Sequence, residues 1–190
     1  MDDLLSRALD LASVKGASYC DVRLVETNQE RIVVRTGVVD TLSNDGSLGI
    51  GVRVLVNGSW GFASTNIVSP SEVDRVTGLA VEIAKASSRS SNGPVSLGPP
   101  VTSRGVYTTP IQTDPFSISS EDKLGPMLAS DDRMGSDKAI SARLGNLIFL
   151  KVHKTFANSE GALVDPVSST HPTLRTKCSV STSTLPQYYT

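Results

Sequence analysis

The side chains that could do chemistry in this chain are few, and they are not spaced as catalytic or metal-binding motifs require. The chain has two histidines, His153 and His171, and neither has a partner at the spacing of a His-Glu-x-x-His zinc helix. A Gly-x-Ser-x-Gly nucleophile motif does not occur either. We therefore predict that this chain contributes no catalytic residue, no metal ligand and no cofactor-binding residue.

The two cysteines, Cys20 and Cys178, are predicted to be free thiols. Cys20 alternates with Val22 and Leu24 on the apolar face of a predicted strand, which favours a buried and unreactive side chain. The acidic amphipathic beginning of the chain does not resemble a secretory signal. A reducing cytoplasm, where disulfides are rare, is therefore the expected location.

Composition and glycine spacing exclude several other classes of function. Gly49-Ile50-Gly51 lacks the third glycine of a dinucleotide-binding loop, since that position is Val54, and a strand follows it instead of a helix. A net charge of −1 and the absence of a basic run give no electrostatic basis for binding nucleic acid. No apolar run is long enough for a membrane span, so we expect no direct contact with nucleic acid or membrane.

Three residues are candidates for an interface. Asp21 and Arg23 lie two residues apart on one face of a predicted strand. They could form a cross-strand charge network or contact a ligand. Trp60 directly follows a predicted turn, and it could anchor an interface, where aromatic residues are enriched, or cap the core.

The elements that must position these residues are those of an α+β fold. A helix is predicted from Asp3 to about Lys15, where Gly16 ends it. Several short strands follow, and Asn57-Gly58 supplies the two-residue turn of a hairpin. Ser69-Pro70-Ser71-Glu72 and Ser119-Ser120-Glu121-Asp122 mark the starts of two further helices, the second with a kink or a late start at Pro126. We predict an antiparallel β-meander sheet packed with two or three helices.

Domain organisation follows from changes in composition. Residues 1–165 read as one domain, with a flexible connection at about 87–118 that is rich in Pro, Gly and Thr. Residues 166–190 contain eleven Ser or Thr and no acidic residue, so a disordered tail is predicted there.

Several strings, taken in order, resemble the amino-terminal domain of the TldD/PmbA family, also called modulators of DNA gyrase. They cover roughly residues 1–164, and the Gly49-to-Thr65 hairpin is the longest of them. The others are Gly16-Ala-Ser-Tyr-Cys-Asp-Val-Arg23, Ala80-Val-Glu-Ile-Ala-Lys-Ala86, Asp114-Pro115-Phe116 and Phe156-Ala-Asn-Ser-Glu-Gly161. The resemblance implies an α+β domain of a cytoplasmic protein that forms homodimers, or heterodimers of two paralogues. In that family one type of subunit is a zinc metallopeptidase that acts on peptides.

The resemblance also implies where the zinc would be bound. The family's zinc site, a His-Glu-x-x-x-His helix with a more distant Cys, belongs to the carboxy-terminal half, and the motif is absent from this sequence. We therefore expect a domain for dimerisation and substrate access that is inactive alone. The alternatives are a non-catalytic module that pairs with a full-length paralogue, or a truncated remnant without activity. The change of composition after Val164-Asp165 raises the further hypothesis of a frameshifted reading frame.

Overall fold

The computed structural model describes residues 2–90, 93–100 and 102–180 of the 190-residue chain. Three α-helices and six strands follow one another along the sequence, with a short 3-10 helix at Pro115–Ser117. In chain order these are α1 (Asp2–Val14), β1 (Tyr19–Arg35), β2 (Val38–Val56), β3 (Ser59–Thr65), α2 (Pro70–Ser87), β4 (Arg104–Thr108), α3 (Ser120–Gly135), β5 (Ile140–Asn158) and β6 (Leu163–Val180). The strands form one sheet in the order β3-β2-β1-β5-β6-β4.

The α+β class and the helices are confirmed, and the sheet is mixed. β2 and β3 pair antiparallel, as the meander requires. β4 pairs parallel with β6, which a meander does not predict. The difference arises because β4, from the predicted flexible connection, joins the edge of the sheet beside a strand that is distant in sequence.

The strands are also fewer and longer than the sequence suggests. Separate strands were expected on either side of Thr27-Asn28-Gln29 and of Ser43-Asn44-Asp45, yet β1 and β2 each run through these polar stretches. Sheet hydrogen bonds join backbone groups, so polar side chains do not interrupt a strand, and neither stretch contains proline.

A disordered tail is predicted from residue 166, but the structure has a strand there as far as residue 180. β6 continues to Val180, and its first part pairs with β4 through Val167 and Ser168. β-Branched threonine is compatible with extended backbone, so a Ser/Thr-rich composition does not exclude a strand. Residues 181–190 lie outside the described residues, and the prediction for them stays a prediction.

The local signals for turns and caps act as expected. Gly16 has a positive φ of 91°, and the hydrogen bonds Ala17 N to Ala12 O and Gly16 N to Ser13 O close α1 in a Schellman motif. Asn57 and Gly58 both have positive φ, as a type I′ turn requires. The hydroxyl oxygens of Ser69 and Ser119 accept hydrogen bonds from backbone N–H groups at the starts of α2 and α3. Because α3 begins at Ser120, Pro126 does not delay its start.

Contacts between backbone atoms divide the chain into two compact units, each assembled from three stretches. Unit 1 comprises residues 1–27, 46–109 and 152–169, and unit 2 comprises residues 28–45, 110–151 and 170–190. The prediction of a single domain over residues 1–165 therefore stays a prediction.

The core of unit 1 joins α1 and α2 to one face of the strands. Its seventeen buried residues include Leu5, Val22, Val54 and Val76. On α2, Val81 is buried and Ile83 is exposed. Gly61 of β3 lies so close to α2 that a Cβ atom there would be 2.0 Å from the Ala80 carbonyl oxygen.

The core of unit 2 is small. Ile32, Val34 and Met127 are its buried residues, and Leu124, Leu128 and Leu147 pack against them.

Candidate functional site

All three interface candidates lie on the face of unit 1 that points away from α2. Successive residues of a strand point to opposite faces, and Val52, Val54 and Gly61 face the helix. The alternate positions Asp21, Arg23, Arg53, Trp60 and Phe62 therefore share the other face, which we call the outer face. The register supports this assignment, because Arg53 pairs with Phe62 and Leu55 with Trp60.

Asp21 is the buried centre of the outer face, with 2% of its side chain exposed. Its Oδ2 atom accepts a hydrogen bond from Arg53 Nε at 2.7 Å, and Arg53 Nη2 lies 2.6 Å from the same oxygen in an ion pair. Arg23 Nε lies 3.7 Å from Oδ1. The first of the two alternatives for Asp21 and Arg23, a cross-strand charge network, is thus present in the structure, with Asp21 at its centre and Arg53 as the cross-strand partner.

Trp60 is held by this network and does not belong to the buried core cluster of unit 1. The Arg53 guanidinium lies over its ring, with Cζ 4.6 Å from the ring centroid. Tyr19 meets the indole edge to face, at a centroid distance of 5.8 Å and an interplanar angle of 87°. Such stacked and edge-on contacts fix the orientation of an aromatic side chain. Whether Trp60 anchors an interface stays a prediction.

A second cation–aromatic pair extends the outer face. Arg23 Cζ lies 5.6 Å from the centroid of the Phe156 ring, while 58% of the Arg23 side chain stays exposed. Arg53 is 42% exposed and Phe62 is 57% exposed. The side chains of Arg23, Arg53 and Phe62 are therefore exposed enough to contact a partner. Contacts within the chain already hold the two arginines in place.

These side chains border an open cleft of about 630 Å³. Asp21, Arg23 and Arg53 lie at its polar side, and Phe62, Leu48 and Ile50 supply apolar surface. Gly51 leaves room for the Phe62 ring, since a Cβ atom at that position would be 3.0 Å from Phe62 Cε2. A glycine inside a strand often marks a place where another part of the chain comes close. Gly51 does so here, because its missing side chain lets the Phe62 ring of β3 pack against β2.

Two titratable groups beside Asp21 have raised pKa values. Burial, aided by the negative charge of Asp21, raises the pKa of the Cys20 thiol to about 12, so the thiol stays protonated near neutral pH. Burial also raises the pKa of Tyr19, again with a contribution from Asp21. Neither group has the lowered pKa of a nucleophile.

The turn after β5 is built by Asn158. Its Oδ1 atom accepts hydrogen bonds from the backbone N–H groups of Glu160 and Ala162, and Gly161 adopts a positive φ of 98°. The turn is tied to β1, because Ser159 N donates to Cys20 O and Cys20 N donates to Ser159 Oγ. The string Phe156-Ala-Asn-Ser-Glu-Gly161 therefore positions Phe156 next to Arg23.

The remaining candidates for chemistry do not come together. His153 is half-buried on β5, and the side chains of His171 and Cys178 lie outside the described residues. Within the part of the chain that the structure describes, no three His, Cys, Asp or Glu side chains are grouped as a metal ion requires.

The sequence did not identify Arg53 and Phe62 of the outer face, nor Tyr19 and Phe156, which contact it. Arg53 stands between the buried Val52 and Val54, a position that places a charge on the face opposite the core. This alternation predicts that the Arg53 side chain points away from the core of unit 1. Its partner Asp21 is 32 residues away on another strand, and only the register of β1 and β2 brings them together.

Comparison with known proteins identifies similar sequences over part of this chain. The family described as PmbA/TldA metallopeptidase domain 1 matches residues 20–84. A metalloprotease from Methanocaldococcus jannaschii is 32% identical over 79 residues, which are 42% of this chain and 18% of that protein. A metalloprotease from Methanothermobacter thermautotrophicus is 24% identical over 147 residues, or 77% of this chain and 31% of that protein. The chain spans less than a third of either relative.

Solved structures share the fold at low sequence identity. A candidate modulator of DNA gyrase from Bacteroides thetaiotaomicron has a TM-score of 0.76 and 18% identity, over 95% of this chain and 41% of that protein. TldE from Thermococcus kodakarensis has a TM-score of 0.62 and 17% identity, over 91% of this chain and 39% of TldE. Among the described helices, none is long and apolar enough to cross a membrane. Residues 20–84 therefore resemble the first domain of the PmbA/TldA metallopeptidases, and the chain shares its fold with the two solved structures.

Proposed function

We propose that this chain is the non-catalytic amino-terminal domain of a TldD/PmbA-type metallopeptidase that acts on peptides in the cytoplasm. In this proposal the outer face pairs with a second subunit, either another copy or a paralogue, and helps to form the path by which peptides enter. The names of the relatives support the proposal, since two are metalloproteases and one solved structure is TldE.

The observation that carries the proposal is the prearranged outer face. Tryptophan, tyrosine and arginine are the residue types that dominate the binding energy of protein interfaces. Here Arg53, Trp60 and Tyr19 already contact one another, and Asp21 holds the guanidinium. Association loses less conformational entropy when the contacting side chains are ordered beforehand. The exposed Phe62 adds apolar area beside them.

Zinc would supply the hydrolytic chemistry from elsewhere in the assembly. A catalytic zinc needs three protein ligands and an open position for water, and the described residues offer no such group. The contribution of this chain would be to bind, orient and enclose. The proposal therefore predicts that peptide hydrolysis depends on the second subunit or on the carboxy-terminal half.

The proposal is tested by measuring association with a zinc-bearing TldD/PmbA paralogue from the same organism. Sedimentation velocity gives the dissociation constant for the wild-type chain and for Phe62→Ala and Trp60→Ala. We expect Trp60→Ala to weaken association by about tenfold or more, because hot-spot aromatic residues typically contribute about 2 kcal/mol or more. Phe62→Ala is expected to weaken it less.

The matched control is Arg7→Ala on the helical face of unit 1. Arg7 forms an exposed two-point ion pair with Asp74, at 2.7 Å for each contact, and it is not part of the outer face. Circular dichroism shows whether each variant folds. Equal affinities for the wild type, Trp60→Ala and Phe62→Ala, all folded, would contradict the proposal, as would failure of the wild-type chain to associate.

A further inference from the structure

Unit 2 contains a cavity that shares no residue with the outer face. This cavity of about 270 Å³ is enclosed by α3, β5 and β6, and we call it the α3 cavity. Its walls include Met127 and Asp131 on α3 and Leu147 and Phe149 on β5. Pro126, Ser130 and Leu174 are exposed at its rim, so the cavity opens to solvent.

The unusual feature of this cavity is the carboxylate of Asp131. Only 4% of the side chain is exposed. Oδ2 accepts a hydrogen bond from Arg143 Nε at 3.0 Å, whereas Oδ1 is buried and has no hydrogen-bond partner among the described residues. A buried carboxylate oxygen without a donor costs free energy, and native proteins seldom keep one without a reason. A ligand that donates a hydrogen bond to Oδ1 would remove this cost.

The walls of the cavity suit an apolar body. Met127 and Phe149 are buried, and Leu147 is half-buried beside them. Gly145 keeps the floor open, since a Cβ atom there would already lie 3.3 Å from Met127 Cε. A cavity of about 150 Å³ holds a benzene ring, so the α3 cavity has room for a ring with a short chain.

The charges around the cavity favour a cation over an anion. Lys123 lines the wall but is paired with the buried Glu30, and Asp131 is paired with Arg143. Asp122 at the rim leaves carboxylates in excess of cations. An ammonium group near Asp131 would meet negative charge and a free acceptor together.

From these observations we propose that the α3 cavity binds a small organic amine, with its ammonium group donating to Asp131 Oδ1 and its apolar body between Met127, Leu147 and Phe149. The site is independent of the proposed function, because every residue that forms it belongs to unit 2. Its failure would leave the pairing through the outer face untouched.

Isothermal titration calorimetry of the wild-type chain with 2-phenylethylamine, 2-phenylethanol and 3-phenylpropionate tests the proposal. The three probes share the ring and differ in the polar group. We expect the amine to bind about tenfold more tightly than the alcohol, because a charged donor strengthens a hydrogen bond, and we expect no binding of the carboxylate. Equal binding of amine and carboxylate, or no binding of the amine, would overturn the proposal.

Two variants and a control locate the site. Asp131→Asn should weaken amine binding about tenfold or more and change alcohol binding by less than about threefold, since only the amine loses a charged acceptor. Ser130→Phe, which places a ring at the rim and keeps Asp131 in the sequence, should abolish binding of both probes. Asp132→Asn, an exposed neighbour on α3, should change neither.

Ser130→Phe keeps the test decisive if Asp131→Asn does not fold. Unchanged amine binding in a folded Ser130→Phe chain would place the ligand elsewhere and refute the assignment. A free amine and the amino terminus of a peptide carry the same chemistry, so the tripeptide Phe-Gly-Gly is titrated in parallel. Tighter binding of phenylethylamine assigns the cavity to a free amine, and tighter binding of the tripeptide assigns it to a peptide terminus.

Discussion

The two units of this chain place their charged side chains differently with respect to their cores. In unit 1, Arg53 neutralises the buried Asp21 from the outer face and keeps 42% of its own side chain exposed. In unit 2, both members of the Lys123–Glu30 pair are buried, at 5% and 7% exposure. The hydrophobic clusters of the two units also differ in size, since the cluster of unit 1 has seventeen buried residues and that of unit 2 has three.

This difference shows which interactions each unit relies on. Burial of apolar surface stabilises unit 1, and the arginines that neutralise its buried carboxylate remain near solvent, where they can contact a partner at little cost. Unit 2 has fewer apolar residues to bury and encloses ion pairs, which are tolerated only while both partners are present. We therefore expect unit 2 to be sensitive to the loss of a single charge and unit 1 to changes of volume.

The largest effect is expected when the buried pair of unit 2 is broken. Lys123→Met leaves Glu30 buried without a partner and should lower the free energy of unfolding by about 3–5 kcal/mol. The double variant Lys123→Met/Glu30→Leu should recover most of this loss, because no unpaired charge remains. Guanidinium-induced unfolding measures both. If the double variant is as unstable as Lys123→Met, the unpaired charge of Glu30 is not the cause of the lost stability.

A somewhat smaller effect is expected from a volume change in unit 1. Gly61→Ala would place a Cβ atom 2.0 Å from the Ala80 carbonyl oxygen, so β3 and α2 must separate. We expect a loss of about 2–3 kcal/mol, in the upper part of the range for overpacking. The matched control is Gly78→Ala within α2, where the nearest atom is 3.8 Å away. It should gain about 0.5–1 kcal/mol from helix propensity, and a loss of similar size in both variants would contradict the prediction.

The smallest effect concerns the half-buried ion pair of unit 2 between Lys151 and Asp114 and its dependence on pH. A hydrogen bond from Lys151, at 2.7 Å, lowers the pKa of Asp114, and the Phe116 backbone N–H lowers it further. A carboxyl whose pKa is lower in the folded state stabilises the fold above its unfolded pKa of 3.8, and this contribution disappears as pH falls through the folded pKa. Asp114→Asn should therefore be slightly less stable than the wild type at pH 7 and equally stable near pH 2.

Unfolding midpoints at pH 7, 4, 3 and 2 measure this convergence. Asp45→Asn, which removes an exposed carboxylate of β2, is measured in parallel as the control for the loss of one negative charge. A difference between Asp114→Asn and the wild type that persists at pH 2 would show that the variant acts through something other than the charge of Asp114.

The sequence by itself determined the local features of this protein. Gly16, Asn57-Gly58, Ser69 and Ser119 act through their own φ angle or through a hydrogen bond to a residue two or three positions away, so adjacent residues are sufficient to predict them. The α+β class and the likeness to the TldD/PmbA amino-terminal domain were also readable, because they depend on residue patterns along the chain.

Only the tertiary structure decided how distant residues meet. The ion pair between Asp21 and Arg53 depends on strand order and register. The parallel pairing of β4 with β6 and the burial of Asp131 beside the α3 cavity depend on them as well. The period of two in a strand tells which residues share a face, but it does not tell which strand lies beside it. The outer face and the α3 cavity therefore became visible only when the strands were assembled, although every residue that forms them was present in the sequence.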